Sequence, residues 1–119
     1  MILVYTSVWV SHFRHKNFRL ENLLLEDFVY CHSVIIGELA CGNLRNRDEI
    51  LNLLKELPAA KAVTDQDILI FIEKHRLMGK GLSLIDIHLL VSATLSGLLI
   101  WTEDQRLHGA ARQLGIAYS

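Results

Sequence analysis

Two runs of consecutive apolar residues stand near the two ends of the chain, Met1 to Val4 and Leu98 to Trp101. Neither alternates apolar with polar positions, so each reads as a strand buried on both faces, the pattern of a parallel sheet. Between them the spacing turns helical. Val8 to about Phe13 reads as a short helix, with Thr6 and Ser7 as its N-cap residues. Phe18, Leu20, Leu23 and Leu24, set against acids at 21, 26 and 27, make an amphipathic helix over 18–27. Phe28–Ser33 reads as a short strand, after which Ser33 caps a helix from Val34 to about Cys41, closed by Gly42 and Asn43. Asn46–Leu57 is a helix with Ile50, Leu51, Leu53, Leu54 and Leu57 on one side, and Pro58 ends it. Lys61 to Val63 reads as a short strand or an extended link. Thr64 to Asp67 opens the next helix, Asp65 and Asp67 acting as capping groups and Ile68, Leu69, Phe71, Ile72 and Leu77 forming its core stripe. A flexible Gly79-Lys80-Gly81 loop leads to a helix begun by Ser83, apolar on most sides and stopped at Ser96-Gly97. Gln105–Leu114 follows as a helix with Leu107, Ala110, Ala111 and Leu114 inward, closed by Gly115, and Ile116 to Tyr118 reads as a last short strand.

Strand and helix thus alternate without repeats, low complexity or a linker. The pattern predicts one domain over residues 1–119, α/β in class, with a parallel central sheet of four to five strands and helices on both faces. A chain of 119 residues suits a single core. Its 51% hydrophobic content is slightly above the usual range, which points to some apolar area in an interface. A net charge of −1, from 12 basic and 13 acidic residues, gives no general pull toward nucleic acid or membrane, so any such binding rests on local patches. Cys31 and Cys41 sit in apolar surroundings and read as ordinary buried thiols, which fits a reducing cytoplasm. Leu82 to Trp101 is mostly apolar over twenty positions, but Asp86, His88 and the Ser96-Gly97 stop interrupt it, so no membrane span is expected.

The chemistry lies in the acids. Glu38 falls among Ile35, Ile36, Leu39 and Ala40, Asp86 among Leu84, Ile85, Ile87 and Leu89, and Asp104 just after the second apolar strand. A carboxylate in such company needs a cation or hydrogen-bond donors to offset desolvation. In an open α/β sheet these positions can meet at the carboxyl edge of the strands, beside residue 5, where such folds bind ligands. Carboxylates about 4 Å apart repel by roughly 4 kcal/mol per pair at an effective dielectric near 20. A divalent cation relieves that, and hard oxygen ligands select Mg²⁺ or Mn²⁺ over Zn²⁺. Arg14, Lys16, Arg45, Arg47 and Arg106 are candidate phosphate contacts, although a solvated surface explains such residues as well.

With these residues in view the chain resembles the PIN-domain nucleases, and among them the VapC-type toxins. ILVYTSVW at the start is similar to the family's ILVDTSVW opening, with Tyr5 in place of the aspartate; Thr6 and Ser7 follow in register. IIGELACG matches the second motif with Glu38 as its acid, LSLIDIHLLVSATLSG the third with Asp86, and LIWTEDQRL the fourth with Asp104 and Thr102 before it. Four motifs in order cover nearly the whole chain. The resemblance implies a Mg²⁺-dependent (or Mn²⁺-dependent) endoribonuclease whose metal ligands are Glu38, Asp86, Asp104 and the residue at position 5. It further implies an RNA substrate of the tRNA or rRNA class, a small VapB-type antitoxin partner, a homodimer, and operator DNA bound only through the antitoxin.

Position 5 is the departure. Tyrosine is neutral near pH 7, since its unperturbed pKa is about 10, and its ring is far larger than a carboxylate. Metal binding is expected to be weak or absent, cleavage lost or severely impaired, and the Tyr5 hydroxyl bonded to Asp86 or Asp104. Aspartate and tyrosine codons differ by one base, so a single change selected against toxicity would suffice. The alternative is a naturally inactive PIN domain that serves as an antitoxin-binding module. A phosphoacceptor receiver domain of similar length would need an acid pair just after the first strand, which Tyr5-Thr6-Ser7 does not offer.

Overall fold

The structure is a computed structural model and describes residues 1–119. Its elements run β1 (Ile2–Val4), α1 (Thr6–Arg14), α2 (Phe18–Leu25), β2 (Val29–Tyr30), α3 (Ser33–Ala40), α4 (Arg47–Glu56), α5 (Asp65–His75), α6 (Leu84–Ser96), β3 (Leu99–Trp101) and α7 (Gln105–Gln113). β1 is the middle strand of a parallel sheet of order β2-β1-β3. Ile2 pairs with Val29 on one side and Leu99 on the other, and Leu3 with Tyr30 and Ile100. Ile2, Leu3 and Val4 are all buried. Successive strand residues point to opposite faces, so helices must cover both sides of β1. That is the α/β layering expected of an unbroken apolar strand.

The sheet has three strands where four to five were expected. The flanking segments add only single parallel bridges, Cys31 to Ala59 and Ile100 to Ala117. The last segment makes two backbone bonds to Ile100, accepting from its N–H at the Ile116 carbonyl and donating from Tyr118 N to its carbonyl, and forms no longer ladder. Lys61 and Ala62 are exposed, and the Lys61 N–H donates to the Ser96 hydroxyl at the end of α6. With no apolar face to lay on the sheet, that stretch stays an extended link.

α6 is the most deeply packed helix. Ile87, Leu89, Leu90, Val91, Ser92 and Ala93 are all buried on it, and the buried face of α5 (Ile68 and Phe71) joins the same core. Leu69 does not join that stripe as expected: it is 65% exposed, next to the similarly exposed Ile70. Leu99 is likewise open on one side, so β3 is less enclosed than its sequence suggests. Cys31 is buried and its thiol is pushed up to about 11 by burial, whereas Cys41 is exposed at the end of α3.

Two helix starts also differ from expectation. α1 begins at Thr6, with Tyr5 as N-cap and no side-chain cap bond. The Thr6 and Ser7 hydroxyls are drawn instead to other elements, as described below. α3 is capped by His32 and not by Ser33: His32 Nδ1 accepts from Val34 N at 2.9 Å. Its Nε2 then carries the proton and faces Ser92 Oγ at 3.0 Å. α5 and α6 begin where expected, and each start is closed by a capping box, Thr64 with Asp67 and Ser83 with Asp86.

Candidate active site

Tyr5 stands at the carboxyl edge of the middle strand, where β1 hands over to α1. Its N–H donates to the Trp101 carbonyl at 2.8 Å, which ties position 5 to the end of β3. Trp9, from the next turn, donates its indole N–H to the Val4 carbonyl and fixes the same corner from below. The Tyr5 side chain is only 9% exposed, and its hydroxyl donates to Asp86 Oδ1 at 2.5 Å. The bond expected from a neutral phenol beside unpaired acids is therefore present. The phenol's pKa lies well above its usual value, because of burial, the bond to Asp86, and the negative charges of Asp86, Glu38 and Asp104. All three acids thus bear on one hydroxyl, although they come from α3, α6 and the start of α7.

Each acid is also held by its own element. Asp86 sits in the first turn of α6, where the helix dipole favours an anion; its Oδ2 accepts from Ser83 N at 3.0 Å. Glu38, half-buried on α3, accepts from the Thr6 hydroxyl at 2.6 Å. Asp104 is the N-cap of α7, its Oδ1 accepting from the N–H groups of Arg106 and Leu107. Thr102 accepts from Asp104 N at 3.1 Å and lies 3.3 Å from the Ser7 hydroxyl. The supporting hydroxyls Thr6, Ser7 and Thr102 therefore all touch the acid-bearing segments.

One acid near this edge escaped sequence reasoning. Glu103 donates its N–H to Ser7 Oγ, and its carboxylate accepts from the Ser11 hydroxyl at 2.8 Å. Ser11 is one turn after Ser7 on α1, so the only signal was a serine pair at helical spacing. His32 and His88, 5.1 Å apart edge to face, form a second polar cluster deeper in the molecule. Burial and the neighbouring His88 lower the pKa of His32.

The basic candidates separate. Lys16 is paired with Glu21 at 3.0 Å. Arg47 donates to the Ala40 and Gly42 carbonyls and closes the end of α3. Arg106 rests on Gly81, where even a Cβ would come within 3.2 Å of its guanidinium. Arg14 and Arg45 have no carboxylate within ion-pair distance, and both line a groove that includes Thr6 and Glu38.

A parallel sheet whose middle strand ends beside three acids defines a PIN-type nuclease scaffold, and the PIN domain model matches residues 2–113: the chain belongs to this family. Within it, the chain is similar to Ribonuclease VapC32 of two Mycobacterium tuberculosis strains. Each is 42% identical over 118 residues, which span 98% of this chain and 95% of the relative. That full-length likeness places it with the VapC-type PIN ribonucleases.

The fold family implies a divalent cation among these acids. The residues as arranged do not fit one. No three His, Cys, Asp or Glu side chains lie close enough together to hold an ion. Asp86 spends one oxygen on the Tyr5 hydroxyl and the other on the Ser83 N–H, and Glu38 and Asp104 each accept hydrogen bonds of their own. A phenol proton points at Asp86, and a ring fills the space that a short carboxylate would leave open.

Proposed function

We propose that this chain is the toxin of a VapBC-type toxin–antitoxin pair, a Mg²⁺-dependent (or Mn²⁺-dependent) endoribonuclease scaffold disabled at position 5. The observation that carries the proposal is the Tyr5–Asp86 hydrogen bond. It occupies the one acid that the third motif supplies with a donor that has no charge to offer. In this reading Glu38, Asp86 and Asp104 are the remaining catalytic acids, which would hold a metal only with a carboxylate at position 5, and Thr6, Ser7 and Thr102 orient them. RNA of the tRNA or rRNA class is the substrate of the active form.

An antitoxin helix has a fitting surface in an apolar groove of about 460 Å³ between α1, α2 and α4, lined by Trp9, Phe13, Leu24, Leu53, Leu54 and Leu57. Operator DNA is reached only through that antitoxin. Leu69 and Ile70 on α5 and Leu95 on α6 are exposed apolar residues that a homodimer would cover. No helix is long and apolar enough to cross a membrane, and the proposed place of action is the cytoplasm.

The same observation favours a second reading, a naturally inactive domain that only binds antitoxin, because a bonded Tyr5 needs no catalytic history. Tyr5→Asp assayed on RNA with Mg²⁺ or Mn²⁺, with and without chelator, separates the two. Metal-dependent cleavage by the variant and none by the Tyr5 chain supports the disabled nuclease. A folded variant that cleaves nothing leaves the binding module.

A further inference from the structure

RNA brought to this edge meets repulsion first. Glu38, Asp86 and Asp104 place negative charge around one spot, and a phosphate backbone approaching them needs cations nearby. Of the five basic residues, Lys16 is paired with Glu21, Arg47 is bonded to the end of α3, and Arg106 lies beside Gly81 and outside the groove that borders Glu38. The two left are Arg14, at the end of α1, and Arg45, just before α4, both exposed and free of any ion pair. They line a single groove of about 640 Å³, which runs from Thr6 and Glu38 past Phe13 and Asn43. The groove is therefore continuous with the acid site, and its two free guanidinium groups are the positive charges that open into it. Phe13, stacked on Trp9 and 37% exposed where this groove meets the neighbouring apolar one, puts an aromatic ring within reach of a base. Free cations with an exposed aromatic are the elements of single-strand recognition, and guanidinium groups match phosphate in geometry as well as charge.

From this we infer that the groove between α1, the end of α3 and the start of α4 holds the single-stranded RNA flanking the scissile phosphate. Arg14 and Arg45 contact its backbone. The inference rests on the ribonuclease reading above, and it assigns those two residues as substrate-positioning residues of that site. The neighbouring apolar groove, which contains neither arginine, is left to a protein partner.

The Tyr5 chain is suited to the test, since binding can be read without cleavage. A fluorescein-labelled, unstructured single-stranded RNA 12-mer is titrated in chelator and followed by anisotropy. Arg14→Gln and Arg45→Gln are each expected to weaken binding about fivefold, the loss of one phosphate contact near the surface. Together they lower the slope of log affinity against log salt by about 1.4, the single-strand value for two contacts. Lys61→Gln, on the exposed link before α5, leaves both unchanged. Neither arginine makes an ion pair, so the variants keep the parent's melting temperature. Unchanged affinity and salt slope in the double variant overturn the inference, as does a Tyr5 chain that binds no RNA. Normal RNA binding with loss of a co-purifying antitoxin makes the groove a peptide site and overturns it equally. Cleavage by Tyr5→Asp is read in parallel: if that variant cuts RNA while the arginine variants bind normally, the groove assignment falls and the ribonuclease reading stands. If it cuts nothing, the ribonuclease reading itself falls.

Discussion

Placing aspartate at position 5 is expected to cost stability in the absence of metal. The Tyr5 hydroxyl bond to Asp86 is a hydrogen bond to a charged group, and such bonds contribute about 1.5–3 kcal/mol. Tyr5→Asp removes it and leaves space where a ring only 9% exposed had packed. It also adds a negative charge among three others that already bear on this point. At about 6 Å and an effective dielectric near 20, each like-charged pair costs about 3 kcal/mol before relaxation. Solvent and side-chain movement will remove part of this, because Asp86 and Glu38 are half-exposed and Asp104 is exposed. A net loss of about 3 kcal/mol is a conservative expectation. For a chain of this size that lowers the melting temperature by about 10 °C. The assay is thermal unfolding in chelator, followed by circular dichroism, for the Tyr5 chain, Tyr5→Asp and Tyr5→Phe. Tyr5→Phe keeps the ring and drops the donor, so its loss is expected to be about half as large. High salt should narrow the gap between Tyr5→Asp and the parent, since it screens repulsion and leaves the lost packing untouched. Mg²⁺ at a hundred times its dissociation constant should return about 2.7 kcal/mol to Tyr5→Asp and nothing to the parent. A Tyr5→Asp variant that melts at or above the parent in chelator refutes the reasoning, because it would mean that the acids tolerate a fourth charge without help.

Three further outcomes follow from single contacts. Thr6→Val strips Glu38 of its only side-chain donor and is expected to cost about 1 kcal/mol, the charged-group value reduced for partial exposure; an unchanged denaturant midpoint would show that water replaces the hydroxyl without loss. Arg47→Ala exposes the Ala40 and Gly42 carbonyls and should lower stability by about 1 kcal/mol while leaving RNA affinity alone, so weakened RNA binding would reassign Arg47 to the substrate. His32 has a lowered pKa in the folded state: its contribution is full above the unfolded value near 6.5 and is lost as pH falls below it toward the folded pKa. His32→Asn can still cap α3 and does not titrate, so the stability difference between the two proteins should depend on pH below about 6.5; parallel curves through that range would contradict the burial of a neutral imidazole.

What could be read from the chain and what could not divides along physical lines. The run Ile2 to Val4 announced a strand enclosed on both sides because no polar residue interrupts it, and all three side chains are buried. The starts of α5 and α6 were legible because Thr64 and Ser83 are followed by acids in the first turn, a signal contained within four residues. The Tyr5–Asp86 bond spans 81 positions and was still legible, for a different reason: a neutral phenol beside acids has only one favourable thing to do, which is donate. Failures occurred where a residue had two comparable options. Thr6 and Ser7 cap helices well, yet here Thr6 reaches Glu38 and Ser7 reaches Thr102 and the Glu103 N–H, and the cap falls to a tyrosine whose side chain makes no cap bond. Ser33 lost its capping role to His32, whose ring also faces Ser92 inside the core. Leu69 and Leu99 were placed in the core because periodicity reports that a residue is apolar, not that a neighbour arrives to cover it.

The same distinction explains how the fold accommodates a tyrosine at position 5. A parallel strand that delivers its last residue to a ring of acids creates a demand for compensation, not for one particular compensator. An ion among four carboxylates meets that demand, and so does a proton fixed on a neutral ring beside three. The bonds that hold the corner, Tyr5 N to the Trp101 carbonyl, Val8 N to the Tyr5 carbonyl and the Trp9 indole to the Val4 carbonyl, do not depend on the Tyr5 side chain at all. The scaffold therefore keeps its shape whichever solution is installed, while the chemistry does not. A metal can be exchanged and can hold substrate and water; a phenol proton bound to Asp86 can do neither. Tyr5→Asn provides the sharpest contrast with Tyr5→Asp, since it too is neutral and too short to fill the ring's space. If relief of charge is what stabilises the Tyr5 chain, Tyr5→Asn should fall between parent and Tyr5→Asp in chelator and gain nothing from Mg²⁺. If packing alone matters, the two short variants should unfold together.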